Sequence, residues 1–135
     1  MNLIINGKKM KVVILAGGKG SRISEYTQDI PKPMIHIGNR PILWHVMKSY
    51  AKYGYNDFIL ALGYKSHVIK EYFLNYDVYS KDIQINTKSK SIKFFNNDNV
   101  DWNISLIDTG NNSMTGGRLK NLKNFVGDKT FFLSY

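Results

Sequence analysis

The sequence predicts a layered α/β domain, and three observations predict it. Lys11 to Ala16 is an unbroken apolar run suited to a strand buried on both faces, as in a parallel sheet. Ile42, Leu43, Val46, Met47, Tyr50 and Ala51 then recur at helical spacing. Downstream, strand-like and helix-like segments keep alternating, which favours a layered sheet over a bundle or a sandwich. With 135 residues and 43% apolar content the chain fits one domain with a real core.

The elements follow in order. Met1 to Lys9 is too short and polar for a secretory signal and is expected to be a poorly ordered extension. The first strand covers Lys11 to Ala16. Pro41 is expected in the first turn of the first helix, which Gly54 closes. Asp57 to Ala61 is the next strand. Ser66 is a candidate cap for a helix running through Phe73, with Val68, Ile69 and Tyr72 inward. Residues 77–99 mix Lys, Ser and Asn with short β-like pieces at Ile83 to Ile85 and Ile92 to Phe95, and read as a variable insertion. Trp102 to Ile107 is a strand, Gly117 to Phe125 a helix closed by Gly127, and Thr130 to Ser134 a last strand.

Chemistry concentrates where the first strand ends. The segment KVVILAGGKGSRISEYTQDIPKPM, Lys11 to Met34, runs from that strand into a loop holding Gly17, Gly18, Lys19, Gly20, Ser21 and Arg22. Glycines let backbone N–H groups approach an anion, and Lys19 and Arg22 add positive charge. Lys32 lies between Pro31 and Pro33, whose fixed φ favours an extended, stiff segment over a helix. The pattern is neither of two well-known phosphate loops. A Walker A loop needs a lysine followed by Ser or Thr after its second glycine, and a dinucleotide fingerprint counted from Gly18 would need glycine where Ile23 stands. The plain alternative is a tight strand-to-helix turn.

LAGGKGSR followed by PKPM resembles the signature of the sugar-nucleotide pyrophosphorylases, nucleotidyltransferases that activate sugar 1-phosphates. The segments IGNRPILWHVMKSYAKYGYNDFILALGYKSHVIKEYF and DTGNNSMTGGRLK are similar to the glucose-1-phosphate cytidylyltransferase branch, so that the resemblance covers Lys11 to Tyr135. It implies a three-layer, Rossmann-like, mostly parallel sheet of the glycosyltransferase-A type, in truncated form. It also implies that CTP and glucose 1-phosphate are converted to CDP-glucose and diphosphate, in nucleotide-sugar supply for O-antigen or other polysaccharide.

Residue roles follow from the same resemblance. Leu15, Ala16, Gly17 and Gly18 would contact base, ribose and α-phosphate through backbone atoms, while Lys19, Gly20, Ser21 and Arg22 continue around the triphosphate. Arg22 would offset charge as pyrophosphate departs, and Lys32 would bridge the α-phosphate and the sugar phosphate. Thr109, Ser113, Gly116, Gly117 and Arg118 stand where the family builds its pyrimidine pocket, and a donor such as Arg118 with a backbone carbonyl would select cytosine. The reaction is direct attack at the α-phosphorus, with Mg²⁺ as cofactor. Nothing in the sequence offers a nucleophile for a covalent route.

In the family the strand corresponding to Phe131 to Tyr135 leads into a Gly-Asp whose aspartate binds the metal, and then into the sugar-binding half. That aspartate lies beyond Tyr135, so the expectation is a fragment or a naturally shortened product in which nucleotide recognition survives and transfer is lost or very weak.

The remaining features have plainer readings. The absence of cysteine excludes disulfides and thiolate metal sites and agrees with a cytoplasmic protein. No apolar run approaches the roughly 20 residues that cross a bilayer. The net charge of +9 opens a second function class, a nucleotide- or polyanion-binding module without chemistry, but the cations are dispersed and no nucleic-acid motif is present. His36, His45 and His67 lack metal-ligand spacing and read as surface or hydrogen-bonded residues. Trp44 and Trp102 read as packing residues, and Asp108 as either a nucleotide contact or a local hydrogen-bonding group. Partners are thus a pyrimidine nucleotide and a sugar 1-phosphate, with a homo-oligomer left open, and membrane and nucleic acid disfavoured.

Overall fold

The structure is a computed structural model, which describes residues 4–5, 8–17, 30–96, 98, 100–110, 122 and 131–134. Strands are β1 Ile4–Ile5, β2 Lys8–Lys9, β3 Lys11–Leu15, β4 His36–Ile37, β5 Arg40–Pro41, β6 Asp57–Leu62, β7 Asp82–Asn86, β8 Ser91–Phe95, β9 Asn103–Asp108 and β10 Phe131–Ser134. Helices are α1 Ile42–Ala51, α2 Ser66–Leu74 and α3 Tyr76–Ser80. Among the described residues, β10, β3, β6 and β9 form one sheet in that order, and every pairing in it is parallel. The α/β expectation is met: parallel neighbours need a crossover connection, and α1 lies between β3 and β6 and α2 between β6 and β9.

Strand β6 is central and reads DFILAL, with Phe58 to Leu62 all buried. Alternation divides its side chains between two cores. Phe58, Leu60 and Leu62 join Val12 and Ile14 of β3, Leu43 and Met47 of α1, and Ile69 and Tyr72 of α2. On the opposite face Val13, Ile59 and Ala61 pack with Leu122. The predicted helix over residues 117–125, of which the third layer would consist, lies outside the described residues apart from Leu122.

Local geometry corrects several expectations. Pro41 is not inside the helix but caps it, extended at ψ 155°, because its ring fixes φ and its carbonyl side is still free to turn. Gly54, at φ +89°, closes α1, with its N–H donating to the Ala51 carbonyl and that of Tyr55 to Tyr50. Ser66 is not the cap of α2. Lys65 holds that position in the left-handed region, at φ 51°, and Ser66 is the first helical residue. The Pro31–Pro33 segment is not wholly extended. Lys32–Met34 forms a 3-10 turn behind an extended Pro31, since Pro33 sits where a first-turn N–H needs no partner.

Two further segments add to the sequence reading. Ile4–Ile5 pairs antiparallel with Lys8–Lys9, where a poorly ordered tail was expected. Within 77–99, the β-like pieces become the hairpin β7–β8, pairing Ile83 with Phe94 and Ile85 with Ile92. Short helix α3 precedes it, with an ion pair from Lys81 to Asp77.

The insertion is fastened to the body by a polar network. The indole of Trp44 on α1 donates to the Tyr76 hydroxyl at 2.8 Å, and that hydroxyl donates to Asp98 at 2.5 Å. The Arg40 guanidinium lies over the rings of Trp44 and Tyr76, donates to Ser80 at 2.8 Å and pairs with Asp98 at 3.5 Å. Trp44 is therefore a donor as well as the packing residue expected, while Trp102 packs against it and Phe58.

Candidate functional site

Parallel strands place their C-terminal ends on one rim, and in open α/β sheets ligands bind there. Here the rim is formed by Leu15 to Gly17 after β3, Leu62 to Tyr64 after β6, and Asp108 to Gly110 after β9. The central segment ties the other two together. The Ala16 N–H donates to Ala61 at 2.9 Å, and the Gly17 carbonyl accepts from the Tyr64 N–H at 3.2 Å. On the other side the Leu62 carbonyl accepts both the Thr109 N–H and the Thr109 hydroxyl, each at 2.8 Å.

These bonds refine what each residue has to offer. Ala16 is 1% exposed and its N–H continues the ladder. The Ala16 N–H is accordingly spent within the sheet. Thr109 is 2% exposed, and its side chain bonds inward, so it sets the direction of the chain rather than presenting its hydroxyl to solvent. Gly110 follows at φ +91°, a conformation that glycine adopts without strain. Lys32 is exposed on its 3-10 turn, which buried Pro31 and Met34 anchor. Gly18, Lys19, Gly20, Ser21, Arg22, Ser113, Gly116, Gly117 and Arg118 lie outside the described residues.

Asp108, which the sequence left between two readings, is engaged by α2. Lys70 Nζ reaches its Oδ2 at 2.5 Å. That contact, and then a hydrogen bond from the Ser66 hydroxyl, hold the Asp108 carboxyl below the usual carboxylate range. Lys70 carried no signal of its own, being one lysine on a helical segment. Two of the histidines bond to backbone as expected, His36 Nδ1 donating to Met34 and His45 Nε2 to Ile37, and His67 is exposed.

Among the described residues no three His, Asp or Glu side chains converge into a metal site. Also among them, no helix is long and apolar enough to cross a membrane. A cavity of about 340 Å³ is lined by Met34, Arg40, Val68, Tyr72 and Tyr79 among others, none of them in the rim segments. Burial raises the Tyr72 hydroxyl above its ordinary value.

The nucleotidyl transferase family model matches residues 11–113, most of the chain and both outer rim segments. The chain belongs to the nucleotidyl transferase family. It is 47% identical over 126 residues to the probable glucose-1-phosphate cytidylyltransferase of Bacillus subtilis, covering 93% of this chain and 49% of that protein. It is 49% identical over 124 residues to the glucose-1-phosphate cytidylyltransferase of Salmonella typhimurium, covering 92% of this chain and 48% of that one. This nucleotidyl transferase chain thus spans about half the length of those curated relatives. Among solved structures it is similar to HddC from Yersinia pseudotuberculosis complexed with GMP-PN, at TM-score 0.63 and 28% identity over 92% of this chain and 46% of that one. UDP-glucose pyrophosphorylase complexed with UDP-glucose shares the fold at TM-score 0.67 and 18% identity, over 92% of this chain and 44% of that one.

Proposed function

We propose that this chain is the nucleotide-binding part of a glucose-1-phosphate cytidylyltransferase and that its rim takes a pyrimidine nucleoside triphosphate, CTP by preference. The observation that carries the reading is the anchoring of Gly17 and Thr109 on one segment, residues 62–64, which brings the starts of the glycine-rich loop and of the DTG segment to one rim. The similarity to two cytidylyltransferases along nearly the whole chain supports the choice of base.

In this proposal the backbone from Gly17 to Ser21 lines the phosphates, with Lys19 beside them and Leu15 and Ala16 beneath the nucleoside. Ser113, Gly116, Gly117 and Arg118 surround the base, with Thr109 fixing where that segment starts. A phosphate oxygen of the sugar 1-phosphate attacks the α-phosphorus, a new P–O bond forms, and the bond to the β-phosphate oxygen breaks to release diphosphate. Arg22 and Lys32 offset the charge that builds on the phosphoryl oxygens. A divalent cation would supply further charge neutralisation in the whole enzyme.

The test is a thermal shift of the chain with CTP, UTP, dTTP, ATP and GTP, because a ligand of the native state raises the melting point by mass action. CTP is expected to give the largest shift, and to keep it at moderate salt. Equal shifts with all five, or a shift that collapses with salt, would support the polyanion reading instead.

A further inference from the structure

The side chain of Asp108 projects from the last residue of β9, immediately before the segment on which the base pocket is proposed to be built. Its ion-pair partner comes from α2, where Lys70 Nζ lies 2.5 Å from Asp108 Oδ2. The start of that helix is itself held at the rim, with the Ser66 N–H donating to the Gly63 carbonyl at 3.1 Å. The chain leaving β9 is consequently pinned at consecutive residues, by side chain at Asp108 and by backbone and hydroxyl at Thr109, before it turns at Gly110.

A pair of this kind adds little to global stability, since the two side chains are 38% and 51% exposed and solvent screens them. Its location suits it better to orientation than to holding the fold together. We propose that Lys70, acting through Asp108, is a positioning residue that fixes the Asp108 to Gly110 stretch of the rim against α2. This inference rests on the reading of the rim as a nucleotide site.

The test compares Lys70→Met, Lys70→Arg, Asp108→Asn and wild type for CTP affinity by calorimetry and for unliganded melting temperature. Lys70→Met and Asp108→Asn are each expected to weaken CTP binding about tenfold, as small misplacements of binding groups do, with melting temperature unchanged. Lys70→Arg, which keeps a cation within reach of the carboxylate, is expected to recover most of the affinity. Wild-type affinity in Lys70→Met, or an Arg variant no better than the Met variant, overturns the inference while leaving the nucleotide reading intact. Should Lys70→Met fail to fold, Asp108→Asn, which is nearly isosteric, decides in its place: weakened CTP binding upholds the inference and wild-type affinity overturns it. A wild-type chain that binds none of the five triphosphates overturns both.

Discussion

The carbonyl of Leu62 accepts two hydrogen bonds from Thr109, one from its N–H and one from its hydroxyl, both at 2.8 Å and out of contact with water. Strand β9 is thereby fastened to β6 just where both reach the rim. Thr109→Val keeps the shape but loses the hydroxyl bond and leaves the N–H bond in place. Urea denaturation is expected to show a loss of about 1 kcal/mol, with Thr109→Ser losing less because it keeps the donor.

Asp98 shows how the insertion depends on the body. Burial alone would raise its carboxyl, but the Tyr76 hydroxyl, the Val100 N–H and Arg40 outweigh burial and hold it below the ordinary value. A depressed folded value means that its contribution is present above the ordinary carboxylate range and is lost as pH falls through the folded value. The stability gap between wild type and Asp98→Asn is therefore expected to be widest near neutral pH and to close below about pH 4. Asp98→Ala, which leaves the partly buried Arg40 without its counter-charge, is expected to cost about 2 kcal/mol at pH 7.

Tyr76 predicts the opposite edge of the pH range. Burial first, and then its hydrogen bond to Asp98, push its hydroxyl up to about 12 from 10.0. Because the folded state holds the proton that the unfolded state releases, this contribution is intact below pH 10 and is lost as pH rises through about 12. Denaturant midpoints measured between those limits should fall with pH in wild type and fall less steeply in Tyr76→Phe, where Tyr72, also raised by burial, still titrates.

The core and the hairpin should respond very differently to loss of apolar side chains. Leu60 is fully buried at the centre of the sheet, so Leu60→Ala is expected to cost about 3 kcal/mol through lost transfer energy and the cavity left behind. Ile85 and Ile92, paired across β7–β8, are 61% and 60% exposed. Ile85→Thr with Ile92→Thr is expected to change stability by about 0.5 kcal/mol or less. Chemical denaturation of the variants checks the contrast.

Strands such as Lys11–Leu15 and Asp57–Leu62 and the helix from Ile42 could be read directly, because burial on two faces or on one stripe leaves a local period in the apolar residues. Helix α3 could not, since its five residues bury nothing and so carry no such period. The cap at Lys65 was equally hidden, because a left-handed lysine is tolerated only where the surrounding chain demands it.

At the site, the amino-acid sequence alone determined the glycine-rich loop and the DTG segment, each following a strand, and the Pro-Lys-Pro lysine, because those signals lie within short stretches of chain. Only the tertiary structure decided that β3 and β9 flank β6, that Thr109 bonds Leu62 across 47 residues, and that Lys70 meets Asp108 across 38. Contacts at such separations are selected by how the two cores pack against the sheet, and no local pattern of residues encodes which partner that packing will bring near.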